Sequence, residues 1–428
     1  MLPQKSGLSN RDIRVANARI VLARLWELEA VTGSELIAST RLTRATVHDV
    51  CQELRELGWI EELPNQRAHG GYVKGRPARR YALSARAGVV VGVDSGLHRV
   101  IATVADLRGQ VLARQTRTFE EDLAGLPAER AADRRRHAVS MTVLDALAHG
   151  DIAATDVLAV AVGVPAPVDA DGRTVITSNP FWNRVNPDIG EYLITTHGWR
   201  AVVDNDANLA AAAEGWIGAG RGERQYVTLM AGERLWAGVV ADGQLLRGGR
   251  GAAGEMVWLD HLDGVGSADG IAALSRRWAT EALARRGPRS VLRGLSPDEL
   301  TAERIFAAAA QDDPVAAAVI HRLGDRFARV SAAVGKVFDT NLVIIAGAVA
   351  TACQPILDVI REQMPGLAEP PLPRVAASQL GEAVVSVGAV RRAIADVQEH
   401  ALDIVLPGRV GLTPDRRPTV PADKDRRI

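Results

Sequence analysis

The sequence predicts an α/β protein in which an N-terminal winged helix-turn-helix precedes a larger body of two strand-rich lobes. Three observations support this fold class. Two helical patterns joined by a tight turn precede Gly58, buried-strand patterns alternate with helices after Arg86, and the strand-rich halves of the body follow one another along the chain. A chain of 428 residues is long enough for two or three domains with cores of their own.

The helical patterns lie in residues 10–30 and 43–57. The first has a candidate cap at Asn10, and the second lies between a Thr43 cap and Gly58. The apolar positions of the first helix are Ile13, Ala16, Ile20, Leu22, Leu25 and Leu28. Residues 59–83 read WIEEL, a polar Gly-rich loop and RRYAL, which predicts a two-stranded wing. We therefore expect a winged helix-turn-helix domain over residues 1–85.

Side chains suited to double-stranded DNA occur in two places. The start of the second helix, opposite its apolar stripe, is where a recognition helix meets base edges. It carries Thr43, Arg44, Thr46 and His48. The wing between Pro64 and Ala82 has five cations and no acid, which suits a narrow minor groove. Its cations are Arg67, Lys74, Arg76, Arg79 and Arg80. The alternative is a protein-interaction module with a solvated basic loop.

Charge and cysteine content restrict the class of protein further. Residues 1–85 carry 13 Lys/Arg against 9 Asp/Glu, and the remainder carries 38 against 42, so a basic head precedes a mildly acidic body. Cys51 and Cys353 are too few for a disulfide framework or a Cys-x-x-Cys zinc site. No signal-peptide pattern or membrane-spanning apolar stretch is present, and we expect a cytoplasmic protein without membrane contact.

The body, residues 86–402, alternates strand and helix patterns. GVVVGVDSG, VLAVAVGVPAPV and LVIIAGAVA predict buried strands, and an Ala-rich pattern predicts a helix over about 205–217. VGAVRRAIADVQEHA predicts a closing helix. The predicted division between the two lobes lies near residue 203. Residues 403–428 lack periodicity and are rich in Pro, Arg and Asp, which predicts a disordered tail.

These motifs resemble those of the ROK family (repressors, open reading frames and sugar kinases), specifically its transcription-factor branch. The resemblance covers about residues 10–400. It rests on TRATVHDV, GRPARRYAL, GVDSG, GVPAPVD, VDNDANLAAAAEGWIGAGRG, DGQLLRGGRGAAGE and LVIIAGAVA. DNDAN followed by EGWIGAGRG is the most specific part. The resemblance implies an actin-like fold of two ribonuclease-H-like lobes, with a sugar bound in the cleft between them.

The resemblance also implies an effector site. Asn205 and Asp206 would contact sugar hydroxyls, and Asp206 lies where kinase members have the general base that deprotonates the attacking hydroxyl. The other implied contacts are Asn179, Asn183 and Glu255. Trp258, which lies near the position of the family's zinc-site His, is a further candidate effector contact. Two alternatives stay open for the acids: Asp206 as the cap of a helix beginning near Ala207, and Glu255 as a solvated loop residue. The tryptophans, which include Trp182 and Trp236, would form an aromatic wall for a sugar or fill a core.

Departures from the kinase pattern predict a body without phosphoryl transfer. Leu97, His98 and Arg99 occupy the first phosphate loop, and residues 233–236 (ERLW) occupy the second loop, where kinases have glycine. Of the three adenosine-site glycines only Gly347 remains. Bulky side chains keep phosphates from the backbone N–H groups that would bind them. The His and three Cys of the family's zinc site are also absent, and we expect neither a cofactor nor a metal.

The expected function is therefore DNA-binding transcriptional regulation, more specifically repression of carbohydrate-utilisation genes. A sugar or sugar derivative in the inactive kinase cleft would control it. A single winged module covers few base pairs, so we expect a homodimer or higher homo-oligomer on a pseudo-palindromic operator. The alternatives are a ligand-independent repressor, an active ATP-dependent carbohydrate kinase and a protein-docking scaffold.

Overall fold

The computed structural model describes residues 9–64, 79–119, 123–175, 180–285 and 287–406. Chain contacts divide the protein into two compact units, one of Val89–Glu399 and one of the residues before and after it. Of the predicted tail, only residues 403–406 are among those described.

The smaller unit has the helices and antiparallel sheet of a winged helix-turn-helix. Its helices are α1 (Asn10–Glu27), α2 (Gly33–Thr40) and α3 (Arg44–Glu56). Its strands are β1 (Val31–Thr32), β2 (Ile60–Leu63) and β3 (Arg80–Leu83), in the order β1-β3-β2. Strands β2 and β3 pair from Ile60 opposite Leu83 to Leu63 opposite Arg80, which confirms the predicted wing strands. The loop between them lies outside the described residues.

Hydroxyl side chains define where these helices begin. Ser9, Thr32 and Thr43 each accept a hydrogen bond from the backbone N–H three residues later, at 3.2 Å. The predicted Thr43 cap is confirmed. The predicted Asn10 cap is wrong, because Ser9 caps α1 and the Asp12 carboxylate completes a capping box with it.

The buried face of α1 also differs from the predicted one. The buried residues are Ala18, Val21, Leu22 and Leu25, at i, i+3, i+4 and i+7. The exposed members of the predicted stripe are Ile13, Ala16, Ile20 and Leu28. The helix has apolar residues on two faces, and only the face that packs within the unit is buried. The prediction combined residues from both.

The larger unit contains two five-stranded sheets with the same strand order. The first sheet is β6-β5-β4-β7-β8 and the second is β11-β10-β9-β12-β13. The strands of the first are β4 (Val89–Ser95), β5 (Arg99–Asp106), β6 (Val111–Thr118), β7 (Val157–Val164) and β8 (Ala201–Asn205). The strands of the second are β9 (Tyr226–Ala231), β10 (Leu235–Ala241), β11 (Gln244–Leu245), β12 (Leu342–Ala346) and β13 (Arg374–Ala377). Each sheet has an antiparallel meander followed by two parallel strands, which is the repeated lobe expected from the sequence.

Nine helices of the described ranges belong to this unit. They are α4 (Ala128–His149), α5 (Pro180–Val185), α6 (Ile189–His197), α7 (Asp206–Ile217), α8 (Ile271–Leu283), α9 (Ala302–Ala309), α10 (Pro314–Val337), α11 (Gln354–Gln363) and α12 (Val384–His400). None of the described helices combines the length and apolar character needed to cross a bilayer. The change from the first sheet to the second follows β8, at Asn205.

Helices α7 and α12 pack closely enough to need glycine at their contacts. A Cβ added to Gly388 of α12 would lie 1.8 Å from the carbonyl oxygen of Leu209 in α7. One added to Gly238 of β10 would lie 2.2 Å from the carbonyl oxygen of Ala207. On the first sheet, a Cβ on Gly92 would lie 2.2 Å from the carbonyl oxygen of Ser386. Both sheets are therefore tied to the same helix pair.

We predict that Gly388→Ala destabilises the protein by roughly 1–3 kcal/mol, because the added methyl group meets backbone that cannot move without repacking α7. The usual helix gain of about 1 kcal/mol for Gly→Ala would favour the opposite sign. Urea unfolding followed by circular dichroism measures the difference. Gly366→Ala is the matched control, since nothing lies within 4 Å of its added Cβ. Equal stability of the two variants would contradict the close contact.

Candidate functional site

The turn after β8 is built around Asn205. Its side-chain oxygen accepts hydrogen bonds from the N–H groups of Ala207 and Asn208, at 3.0 and 3.2 Å, and so caps α7. Its amide nitrogen donates to the carbonyl oxygen of Ala166 at 3.1 Å. Asn205, and not Asp206, is thus the helix cap. Asp206 is the first residue of α7, and its Oδ1 accepts from the Ala207 N–H at 2.7 Å.

Three partly exposed carboxylates lie close enough to influence one another: Asp94, Asp206 and Glu255. Burial, together with the charges of Asp94 and Glu255, raises the pKa of Asp206 to about 8. Burial also raises the pKa of Asp94 and of Glu255 to about 7 each, against the opposing effect of nearby arginines. Near neutral pH such groups can both donate and accept hydrogen bonds. Among the described residues, no group of His, Cys, Asp and Glu is arranged to hold a metal.

The loop that carries Glu255 is fixed at Gly254. The Ala237 N–H of β10 donates to the Gly254 carbonyl oxygen at 2.9 Å. A Cβ on Gly254 would lie 1.6 Å from the Ala237 carbonyl oxygen, so only glycine fits there. At the start of the same loop, Arg247 forms a bidentate ion pair with Asp204 at the end of β8. Sequence reasoning missed Asp94, Asp204 and Arg247, although GVDSG, VDNDAN and LLRGG contain them.

Side chains of the protein contact the turn between β4 and β5, which the resemblance places at the first phosphate loop. Arg135 of α4 is buried and donates to the carbonyl oxygens of Ser95 and Gly96, at 3.2 and 2.7 Å. Leu97 packs against the core of the first sheet. Arg99 forms an ion pair with Glu382 at 2.7 Å. The turn is therefore braced by side chains of this protein.

The loop between β9 and β10, the second phosphate loop of the resemblance, is closed in the same way. Glu233 forms a bidentate ion pair with Arg276, at 2.7 and 3.2 Å. Its carbonyl oxygen accepts from the Gly270 N–H at 2.9 Å, and that of Gly232 accepts from the Ala272 N–H at 3.0 Å. Two N–H groups at the start of α8 are thus bonded to the loop, which leaves fewer donors for an anion there.

The tryptophans form two separate groups. Trp236 of β10 packs against the core of the first sheet and meets Trp182 of α5 edge-on, with ring centroids 5.4 Å apart. Trp258 lies in a short 3₁₀ helix (Val257–His261) and packs against the core of the second sheet. The first pair joins the two lobes, whereas Trp258 fills an edge of one of them.

The remaining effector candidates are only partly described. Asn183 lies on α5 and is exposed, whereas Asn179 lies outside the described residues.

The DNA-contact candidates of the head divide by exposure. Arg44 and His48 are exposed on the first turns of α3. The hydroxyls of Thr43 and Thr46 lie 2.9 Å apart and stabilise the helix start. Arg79 lies 3.5 Å from the carboxylate of Glu62 on β2, so this acid partly offsets the positive charge of Arg79. The wing residues Arg67, Lys74 and Arg76 lie outside the described residues.

A comparison with known protein families shows which family this chain matches. The family model described as "ROK family" matches residues 90–393, which is most of the chain. The chain belongs to the ROK family. The family resemblance inferred from the motifs is therefore confirmed.

Individual ROK relatives match different lengths of the chain. The xylose repressor of Caldicellulosiruptor bescii is 23% identical over 402 residues, 90% of this chain and 97% of that protein. The glucokinase of Thermotoga maritima is 28% identical over 216 residues, 48% of this chain and 68% of that protein. The two relatives thus differ in how much of this ROK chain they resemble.

Solved ROK structures share the fold. A transcriptional regulator described as a homologue of the E. coli MLC protein has a TM-score of 0.69 and 22% identity over 89% of this chain and 97% of its own. The ROK glucokinase from Streptomyces griseus, solved with glucose and AMPPNP, has a TM-score of 0.58 and 29% identity over 72% of this chain and 99% of its own. The predicted two-lobed sugar-kinase fold behind a helix-turn-helix is confirmed.

We predict that Asp206 contributes a loss of stability as pH rises from about 4 to about 8, and that Asp206→Asn removes this contribution. The folded protein keeps a proton on Asp206 in this range, whereas the unfolded chain releases it near 3.8, the ordinary pKa of an aspartate. At pH 8 the variant should gain about 1 kcal/mol, allowing for partial exposure. Urea unfolding at pH 5 and pH 8 measures it, with Asp188→Asn as an exposed control. If Asp206→Asn and the wild type had the same dependence of stability on pH, a raised pKa of Asp206 would be excluded.

Proposed function

We propose that this protein is a DNA-binding transcription regulator, a repressor whose operator affinity is controlled by a sugar or sugar derivative in the cleft of its ROK body. The extent of the sequence matches carries this proposal. The match to the xylose repressor covers 90% of this chain, more than the body alone contains, and so must extend into the winged helix-turn-helix. The match to the glucokinase spans 216 residues, about half of the chain. The head and body therefore resemble a repressor as one chain.

The body serves in sensing and not in phosphoryl transfer. In the first phosphate turn, Arg135 contacts carbonyl oxygens; in the second, Glu233 is paired with Arg276. Trp236 adds an indole where glycine would admit a nucleotide. These features support the loss of kinase activity.

The effector would bind where Asp206 and Glu255 face one cleft. Asn205 holds the turn that presents Asp206, and Gly254 holds the loop that presents Glu255. Carboxyl groups that keep a proton near neutral pH can both donate hydrogen bonds to sugar hydroxyls and accept hydrogen bonds from them. Asn183 and Trp258 remain candidate contacts, together with Asn179. An effector changes operator affinity only if it binds the operator-binding conformation of the protein and a conformation that does not bind operator with different affinities.

The head would read the operator through α3. Arg44 and His48 are exposed at its N-terminal end, the part of a recognition helix that reaches base edges in the major groove. Lys74 and Arg76 of the wing would contact phosphates or the minor groove. Two heads on a pseudo-palindromic site supply the specificity that one module lacks, which favours a homodimer or higher homo-oligomer.

We predict that Arg44→Ala weakens binding to the preferred operator by about 1–3 kcal/mol, because one base contact is lost. The operator is first selected from a random DNA library with the wild-type protein, and affinity is then measured by fluorescence anisotropy. Arg19→Ala is the control, since Arg19 is an exposed arginine on α1. A selection that returns no preferred sequence would refute the DNA-binding proposal itself.

We predict that one sugar of a panel containing D-xylose, D-glucose and their phosphates releases the wild-type protein from its operator. Asp206→Asn should still bind operator but need about tenfold or more sugar, because a cleft contact is weakened. Tryptophan fluorescence follows sugar binding, and anisotropy follows DNA release. A sugar that saturates the cleft without changing operator affinity would indicate a ligand-independent repressor.

The same panel tests the kinase alternative when ATP is added and ADP is measured. We expect no ADP formation, and Trp236→Gly alone should not restore it, because Glu233 and Arg135 still brace both loops. Sustained ADP release that Asp206→Asn abolishes would establish a carbohydrate kinase instead.

A further inference from the structure

An ion pair joins the two lobes beside the proposed effector cleft. The guanidinium of Arg247 donates to both carboxylate oxygens of Asp204, with each nitrogen–oxygen distance 2.6 Å. Asp204 lies near the end of β8 in the first sheet, whereas Arg247 lies two residues after β11 of the second sheet. Paired hydrogen bonds of this kind fix orientation as well as distance.

The Asp204 side chain is held firmly on its own side. It is 3% exposed, and its Oδ1 also accepts from the Asn205 N–H at 2.8 Å and from the Asn208 side chain at 3.4 Å. Asn205 is the cap of α7, and Asp206 follows it directly. A shift of Asp204 would therefore move the turn that presents Asp206.

Arg247 fixes one end of the loop that ends at Glu255. Its carbonyl oxygen accepts from the Ala253 N–H at 3.2 Å, which folds the loop back on its own start. At its middle, a Cβ added to Gly251 would lie 2.0 Å from the carbonyl oxygen of Val168, a residue that follows a strand of the first sheet. The loop is thus seated on the other lobe at two points, and Arg247 supplies the polar one.

We propose that Arg247 and Asp204 form a positioning pair for effector binding. They hold the Glu255 loop of one lobe against the Asn205–Asp206 turn of the other, so effector affinity depends on an ion pair outside the effector's own contacts. Because the pair connects the two lobes, effector affinity also depends on the relative position of the lobes. This inference rests on the proposed effector function of the cleft.

A second ion pair on the same strand provides a matched control. Arg200, just before β8, contacts Asp396 of α12 at 3.0 and 3.4 Å. Both arginine side chains are 39% exposed, and the two aspartates are 3% and 7% exposed. The two pairs lie at opposite ends of β8, and only the Arg247 pair connects this strand to the loop that carries Glu255. If any ion pair on this strand mattered equally, substitution of either arginine should change the site to the same extent. If the Arg247 pair positions the site, only the substitution of Arg247 should change it.

The test compares Arg247→Lys with Arg200→Lys in the full-length protein. Lysine keeps the charge and most of the volume but cannot make the bidentate contact. Hydrogen exchange is followed by mass spectrometry for residues 246–255 and 204–208, with β4 and β12 as internal references. Affinity for D-xylose and D-glucose is measured by tryptophan fluorescence, and sugar-free operator affinity by anisotropy. If the lysine variant folds poorly, the double variant Arg247→Gln with Asp204→Asn replaces it. This double variant removes both charges and so leaves no unpaired buried charge.

For Arg247→Lys we expect exchange in the two site segments to be about tenfold faster, with the reference strands unchanged. Sugar affinity should fall by about tenfold or more, while sugar-free operator affinity stays within about twofold. Arg200→Lys should show neither change in the site segments. Equal behaviour of the two lysine variants, or faster exchange throughout the body, would overturn the positioning role. If the wild type binds neither sugar, the effector proposal fails for these sugars, and the exchange data still decide the role of the pair.

Discussion

The arrangement of the body depends on the close approach of α7 to β10 and α12. Backbone of Ala207 and Leu209 lies so near Gly238 and Gly388 that a single Cβ at either glycine would overlap it. Contacts this short leave little freedom for the helix to slide or rotate. The start of α7 is consequently fixed between the two sheets, and the Asn205 turn is fixed with it. The candidate site inherits its geometry from this packing.

Around that fixed point, the turns before β5 and β10 are held by side chains of the body itself. Arg135 supplies positive charge to turn carbonyls, and the Glu233–Arg276 pair closes the loop before β10. Trp236 reaches from the second sheet to the core of the first. These contacts support the proposal that the cleft binds a small polar molecule and not a nucleotide.

The sequence predicted most of the fold because its signals were local. Buried strands and the caps of α3 depend on neighbours in sequence: Thr43 caps α3 as predicted, and the strand predicted from LVIIAGAVA is present over Leu342–Ala346, ending before Gly347. The faces of α1 were predicted less well. Apolar residues lie on two sides of that helix, and only packing within the head selects Leu25 over Ile20 for burial. Composition alone does not contain that choice.

By itself the sequence determined the family, the order of head and body, and the residue types of the site, because motifs such as DNDAN keep chemistry and spacing together. Tertiary structure decided how those residues are used. It made Asn205 the cap, brought Asp94 toward Asp206, and paired Asp204 with Arg247 across 43 positions of chain. Contacts between residues so far apart are set by how the two sheets pack on α7, and no local pattern encodes them.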